Sequence, residues 1–203
     1  MNSIAKSALV MGGIGAGGVG GWGGYKLMNP DRESIHSLIT KNGEYYLLST
    51  GDSKDDTTWT SIIGDSNSIT QIKNSTGLKE VTNSTLKEWC SKTKDLPSSD
   101  DNSLKNYKSL CTKLSTKGKA KADGVKVIDK DDESSWTKKK ATYTSETASK
   151  ANKLTIKVGS GEGTDKAFDN FEAVRTWCGE ELGNMFVEAN SKTYESFKKW
   201  CAQ

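Results

Sequence analysis

Apolar residues in this chain fall into short stripes at helical spacing, each set behind an acidic residue. Trp59, Ile62 and Ile63 stand at i, i+3 and i+4 behind Asp55 and Asp56, which predicts an amphipathic helix capped by one of the two carboxylates. Asp131 or Asp132 opens a counterpart carrying Trp136. Leu104, Tyr107, Leu110, Cys111 and Leu114 form a stripe behind Asp100 and Asp101, and Phe168, Phe171, Val174, Trp177 and Cys178 form another that Asp165 opens. A last helix is expected from about Ser191, with Tyr194, Phe197, Trp200 and Cys201 on its apolar face. Short strands are expected at residues 45–49, 125–128 and 154–158, the last alternating strictly. The pattern predicts a mainly α fold with minor β content, in which Trp59, Trp89, Trp136, Trp177 and Trp200 pack the core.

The stripes repeat. Asp55-Asp56-Thr57-Thr58-Trp59-Thr60 recurs as Asp132-Glu133-Ser134-Ser135-Trp136-Thr137, and Leu86-Lys87-Glu88-Trp89-Cys90 as Val174-Arg175-Thr176-Trp177-Cys178. Asn102-Ser103, Tyr107 and Leu110-Cys111 recur as Asn190-Ser191, Tyr194 and Trp200-Cys201. Order is kept while the Trp-to-Cys spacing grows from 31 to 42 residues. We therefore expect a segment 1–28 followed by two tandem copies of one small helical module, at residues 30–117 and 118–203.

Segment 1–28 is of another kind. Nine of the chain's 20 glycines lie between Gly12 and Gly24, inside nineteen uncharged residues flanked by Lys6 and Lys26. That length matches the ~20 residues of a spanning helix, and Gly13, Gly17 and Gly21 have the small-xxx-small spacing that lets two such helices approach and form a homo-oligomer. A cleavable secretory signal ending near Ala16 is the alternative, giving a secreted protein. Gly13, Gly15 and Gly18 also spell a dinucleotide fingerprint, but no amphipathic helix or second strand follows.

Composition narrows the partners. Leu, Ile, Val and Phe make up only about 17% of the 203 residues, little for an unaided core. Beyond residue 28 the chain carries 27 basic and 26 acidic residues, and the lysines of 117–140 are interleaved with carboxylates. Such a balance argues against a nucleic-acid partner. Cys90, Cys111, Cys178 and Cys201 allow three pairings. The duplication favours Cys90 with Cys111 and Cys178 with Cys201; free thiols or a metal site are the alternatives, although ligand spacing is lacking. Disulfides would place the protein beyond a reducing cytosol.

Catalytic signatures are few. His36 is the only histidine, and no zinc-protease, nucleophile-elbow or phosphate-loop motif occurs. Paired carboxylates at Asp55 and Asp56 or at Asp131 and Asp132 leave a secreted hydrolase as a minor alternative, with helix capping the better account. No catalytic, cofactor or metal residue is therefore assigned.

A glycine-rich hydrophobic N-terminal segment, about 200 residues, D-D-x-x-W blocks and a chain ending close after Trp200-Cys201 together resemble the large paralogous families of uncharacterised proteins in haemotropic mycoplasmas. The resemblance implies a surface-exposed, antigenically variable protein, and together with segment 1–28 the first expectation is a membrane-anchored, externally displayed binding or antigenic module without catalysis, meeting a host cell-surface or serum protein. A subunit of a membrane complex, joined through the glycine stripe, is the second expectation.

Overall fold

The computed structural model describes residues 33–150, 153–159 and 163–203. Segment 1–28, with Gly13, Gly17 and Gly21, lies outside them. Among the described residues no helix is long and apolar enough to cross a membrane. They form one compact unit of nine α-helices, one 3-10 turn and four short strands.

The chain begins with α1 (Ile35–Asn42) and β1 (Tyr45–Leu47). Helices α2 (Asp56–Ile63), α3 (Ser66–Thr76), α4 (Asn83–Thr93) and α5 (Asp101–Cys111) follow, and β2 (Thr112–Leu114) returns antiparallel to β1. They enclose a first core of Ile35, Ile39, Leu48, Trp59, Ile72, Leu86, Cys90, Tyr107, Leu110 and Cys111. Next come α6 (Thr116–Ala122) and α7 (Glu133–Thr147), the antiparallel hairpin β3 (Leu154–Val158) and β4 (Thr164–Phe168), then α8 (Phe171–Gly183), the turn Glu188–Asn190 and α9 (Ser191–Cys201). They enclose a second core, rich in aromatic rings that meet edge to face, such as Trp136 with Phe171 at 6.2 Å and Tyr143 with Phe171 at 5.9 Å.

Each core has its own disulfide, Cys90–Cys111 and Cys178–Cys201, spanning 21 and 23 residues. Closing a loop of that length contributes about 3 kcal/mol in the chain-entropy model, a large share where aliphatic area is scarce. All four cysteines are buried. Trp59, Trp136, Trp177 and Trp200 are buried too, whereas Trp89 is only partly covered at the edge of the first core.

Several bonds occur once in each half. The N–H of Leu48 donates to the carbonyl of Cys111, and that of Ile128 to the carbonyl of Cys201. The Trp59 indole donates to the Ser49 carbonyl and the Trp136 indole to the Asp129 carbonyl, both at 2.9 Å. Lys87 pairs with Asp56 at 2.5 Å and Arg175 with Glu133 at 2.6 Å. Ser34 and Ser115 cap α1 and α6, and each bridges to a downstream loop, at Pro97 and Met185. α5 and α9 both have 11 residues and end in cysteine, so Tyr107 corresponds to Phe197, and Tyr194 to Leu104. Where the first half has α3, the second has a longer α7 and the hairpin, which accounts for the wider Trp-to-Cys spacing.

Four local expectations are corrected. Residues 164–168 are strand, because β3 needs an edge partner; the Phe168–Phe171 spacing mimics a helix, but Asn170 caps α8 instead of Asp165. Leu114 leaves the α5 stripe, since the helix stops at Cys111 and Leu114 ends β2, exposed. Residues 125–128 form a single bridge, Val127 with Ala202, and not a strand. Asp55 does not cap α2.

The halves join without a linker. Residues 114–116 run from the last residue of β2 into the first residue of α6 and pair with 184–186, through Thr116 N–H to Asn184 O and Phe186 N–H to Leu114 O, both 2.9 Å. A cut between 117 and 118 would therefore pass through α6. The Ser115 hydroxyl donates to the Gly43 carbonyl at 2.7 Å, and Lys121 pairs with Glu44 at 2.6 Å. Gly118 packs so tightly here that a Cβ would lie 2.0 Å from the Glu44 carbonyl oxygen. Gly118→Ala should therefore lower unfolding stability by about 2 kcal/mol or more in urea, through overpacking, despite alanine's better helix propensity; a stabilised variant would refute this junction.

Candidate functional site

Around the junction the two halves leave an open groove of about 520 Å³. The first half contributes Tyr46 from β1 and Lys54 and Asp55 from the loop before α2. The second contributes Thr164 and Lys166 from β4, Glu181 near the end of α8, and the segment containing Asn184, Met185, Val187 and Asn190. Met185 also packs against the first core, so the groove floor is continuous with the junction.

Asp55 organises the first wall. It is only 4% exposed, and its carboxylate accepts the Ser49 N–H at 2.7 Å and the Tyr46 hydroxyl at 3.4 Å from each oxygen. Trp59 holds the carbonyl of the same Ser49, so both backbone polar groups of that residue are fixed from α2 and its N-cap. A buried carboxylate needs such donors, since an unpaired one would be strongly disfavoured. The corresponding Asp132 does something else. It caps α7 by accepting the Ser135 N–H at 3.1 Å and also accepts from the Ser134 hydroxyl at 3.0 Å and the Gln203 amide at 3.1 Å. The Ser135 hydroxyl and N–H, with Ser134 and Gln203, hold its pKa down at about 2.

The groove carries both signs of charge, differently engaged. Glu181 accepts from the Thr116 hydroxyl at 3.4 Å and the Asn184 amide at 2.9 Å. Lys54 lies over the Tyr46 ring at 5.4 Å and Lys166 over the Phe168 ring at 5.5 Å.

The residues singled out in the sequence are dispersed. Asp56 faces Lys87, Asp132 caps a helix and His36 is exposed on α1, so of these residues only Asp55 lines the groove, where Glu181 is the second carboxylate among the described residues. Among the described residues no three His, Cys, Asp or Glu side chains form a metal-binding group. The groove residues themselves were not legible one by one. Their only signal is in the aligned halves, where Lys54 stands in the place of Asp131.

Comparison with protein-family models, curated proteins and solved structures finds no match.

Two measurements separate the roles of the aligned carboxylates. Asp55→Ala leaves the part-buried Ser49 N–H without its carboxylate acceptor and should cost about 1–2 kcal/mol in urea unfolding; an unchanged midpoint would deny Asp55 its structural role. The Asp132 pKa lies below the ordinary 3.8, so its charge stabilises the fold above about pH 4, and that contribution is lost as pH falls to about 2. Thermal melts across that range should show a shallower decline in Asp132→Asn, and an identical slope would contradict the cap.

Proposed function

We propose that this chain is an externally displayed, non-catalytic binding or antigenic module, held at a membrane by segment 1–28. The observation that carries the reading is the pair of disulfides, one closing each small core. Bonds of this kind persist in oxidising surroundings and are reduced in a cytosol, and a domain with so few large aliphatics depends on them for stability. The glycine-rich segment supplies the corresponding export or anchoring signal in sequence. Near-neutral charge beyond residue 28 fits a protein partner at a host surface better than nucleic acid.

The same reading includes a duplication. The recurrent cap, bridge, indole and ion-pair bonds support descent from one ancestral module, with the second copy starting at Leu114, the counterpart of Glu33. Resemblance to the surface-protein families of haemotropic mycoplasmas agrees with this, since stapled scaffolds tolerate change in the loops between their helices.

Protease treatment of intact cells tests the topology. An antibody epitope beyond residue 33 should be lost while cytosolic proteins survive; full protection would overturn the proposal. Fragments test the duplication: residues 114–203 should fold with the Cys178–Cys201 bond and give a cooperative melt, whereas 118–203, without the Ser115 cap and the pairing to 184–186, should not. Failure of the longer fragment would count against two autonomous modules.

A further inference from the structure

We infer that Met185 is an oxidation site, at which a peroxide converts the thioether to a sulfoxide and thereby loosens the junction between the two halves. Segment 184–186 pairs with 114–116, with Met185 bridged to Ser115, and along an extended segment successive side chains point to opposite sides. Phe186 packs against the second core, beside the Tyr194 ring at 5.3 Å and under Lys119 at 5.4 Å. Met185 packs against the first core. Among the described residues it is the one apolar side chain of either half that packs against the core of the other. A thioether therefore makes the apolar contact between the cores.

That sulfur is within reach of a small oxidant. Met185 is only partly buried and lines two open grooves, the one of about 520 Å³ already described and a second of about 720 Å³ that Thr57, Thr58 and Ser61 of α2 border with Leu114 and Phe186. The cysteines offer no competing target. All four are buried in disulfides, and no free thiol is present among the described residues.

In the reaction with hydrogen peroxide a sulfur lone pair attacks one oxygen, so that an S–O bond forms and the O–O bond breaks. Sulfur is oxidised by two electrons, and the second oxygen is reduced and leaves as water, taking the proton of the transferred one. The product puts a polar, hydrogen-bond-accepting group where a flexible apolar one had packed. Keeping the sulfoxide against the first core costs the desolvation of an acceptor, whereas turning it into either groove gives it water and withdraws the contact between the cores. On both routes 184–186 is held to 114–116 less firmly. The chemistry stands apart from display: a chain protected from surface protease that oxidises in this way leaves the inference intact.

The test treats the full chain in detergent with hydrogen peroxide, locates the added oxygen by peptide mass and follows amide hydrogen exchange. Met185 should gain one oxygen while both disulfides persist. The amides of Thr116 and Phe186, which make the junction bonds, should then exchange about tenfold faster, the scale set by burying or exposing one polar group. Those of Leu48 and Ile128, each bonded within its own half, should stay as slow as before. In Met185→Leu, which keeps Met1, Met11 and Met28 and an apolar side chain at the junction, peroxide should leave exchange unchanged; Met185→Gln should exchange faster without any oxidant. An unoxidised Met185 in peroxide that oxidises free methionine, no acceleration at Thr116 and Phe186 once Met185 is oxidised, the same acceleration in Met185→Leu, or equal acceleration at Leu48 and Ile128 would each overturn the inference.

Discussion

Cys111 and Cys201 each connect three elements. The sulfur ties the last helix of its half to α4 or α8, the carbonyl accepts the N–H of Leu48 or Ile128, and the next residue pairs with β1 or with Val127. Helix, helix and extended segment therefore meet at one residue, and the tryptophan of α2 or α7 is then hung by its indole from the carbonyl immediately after Leu48 or Ile128. With so little aliphatic surface, hydrophobic burial alone would leave these helices loosely arranged. The cysteine and the tryptophan replace missing area with fixed geometry, which is how two small cores stay ordered side by side.

The sequence carries those fixed points openly. Tryptophan and cysteine are rare, so their repeated blocks stand out, and α2, α5, α7 and α9 fall where their apolar stripes lie. Asp100 and Asp132 cap as their positions suggest. What escapes is decided across the chain. β4 reads TDKAF, with a single buried residue, and becomes a strand only because β3 presents an unpaired edge. The end of α5 is set by β1, which recruits 112–114. Asp55 has the sequence of a cap, yet the longer loop before α2 brings Ser49 and Tyr46 to it. Residues of the groove come from both halves, and no local pattern links them.

Bonds that occur once in each half make such departures informative. The two halves can be compared position by position, so a position that keeps its residue type but changes its partner reports a local change in constraint. Lys87 and Arg175 both hold an acid in the first turn of the tryptophan helix, whereas Asp55 and Asp132 share a residue and differ in everything they touch. Similar packing with different polar contacts is what distinguishes the two halves at this position.

The two staples are not equivalent, because residues 112–116 serve both halves. β2 belongs to the first half through its pairing with β1, and without a loop it becomes the capped start of α6, pinned by Ser115 and by Gly118 against Glu44. Loosening Cys90–Cys111 therefore releases β2, and with it the segment against which 184–186 and the groove floor are set. Ala202 and Gln203, by contrast, bond to Val127, Lys126 and Asp132, all within the second half. Loosening Cys90–Cys111 therefore reaches the groove through the junction, whereas loosening Cys178–Cys201 reaches it through α8, which carries Glu181.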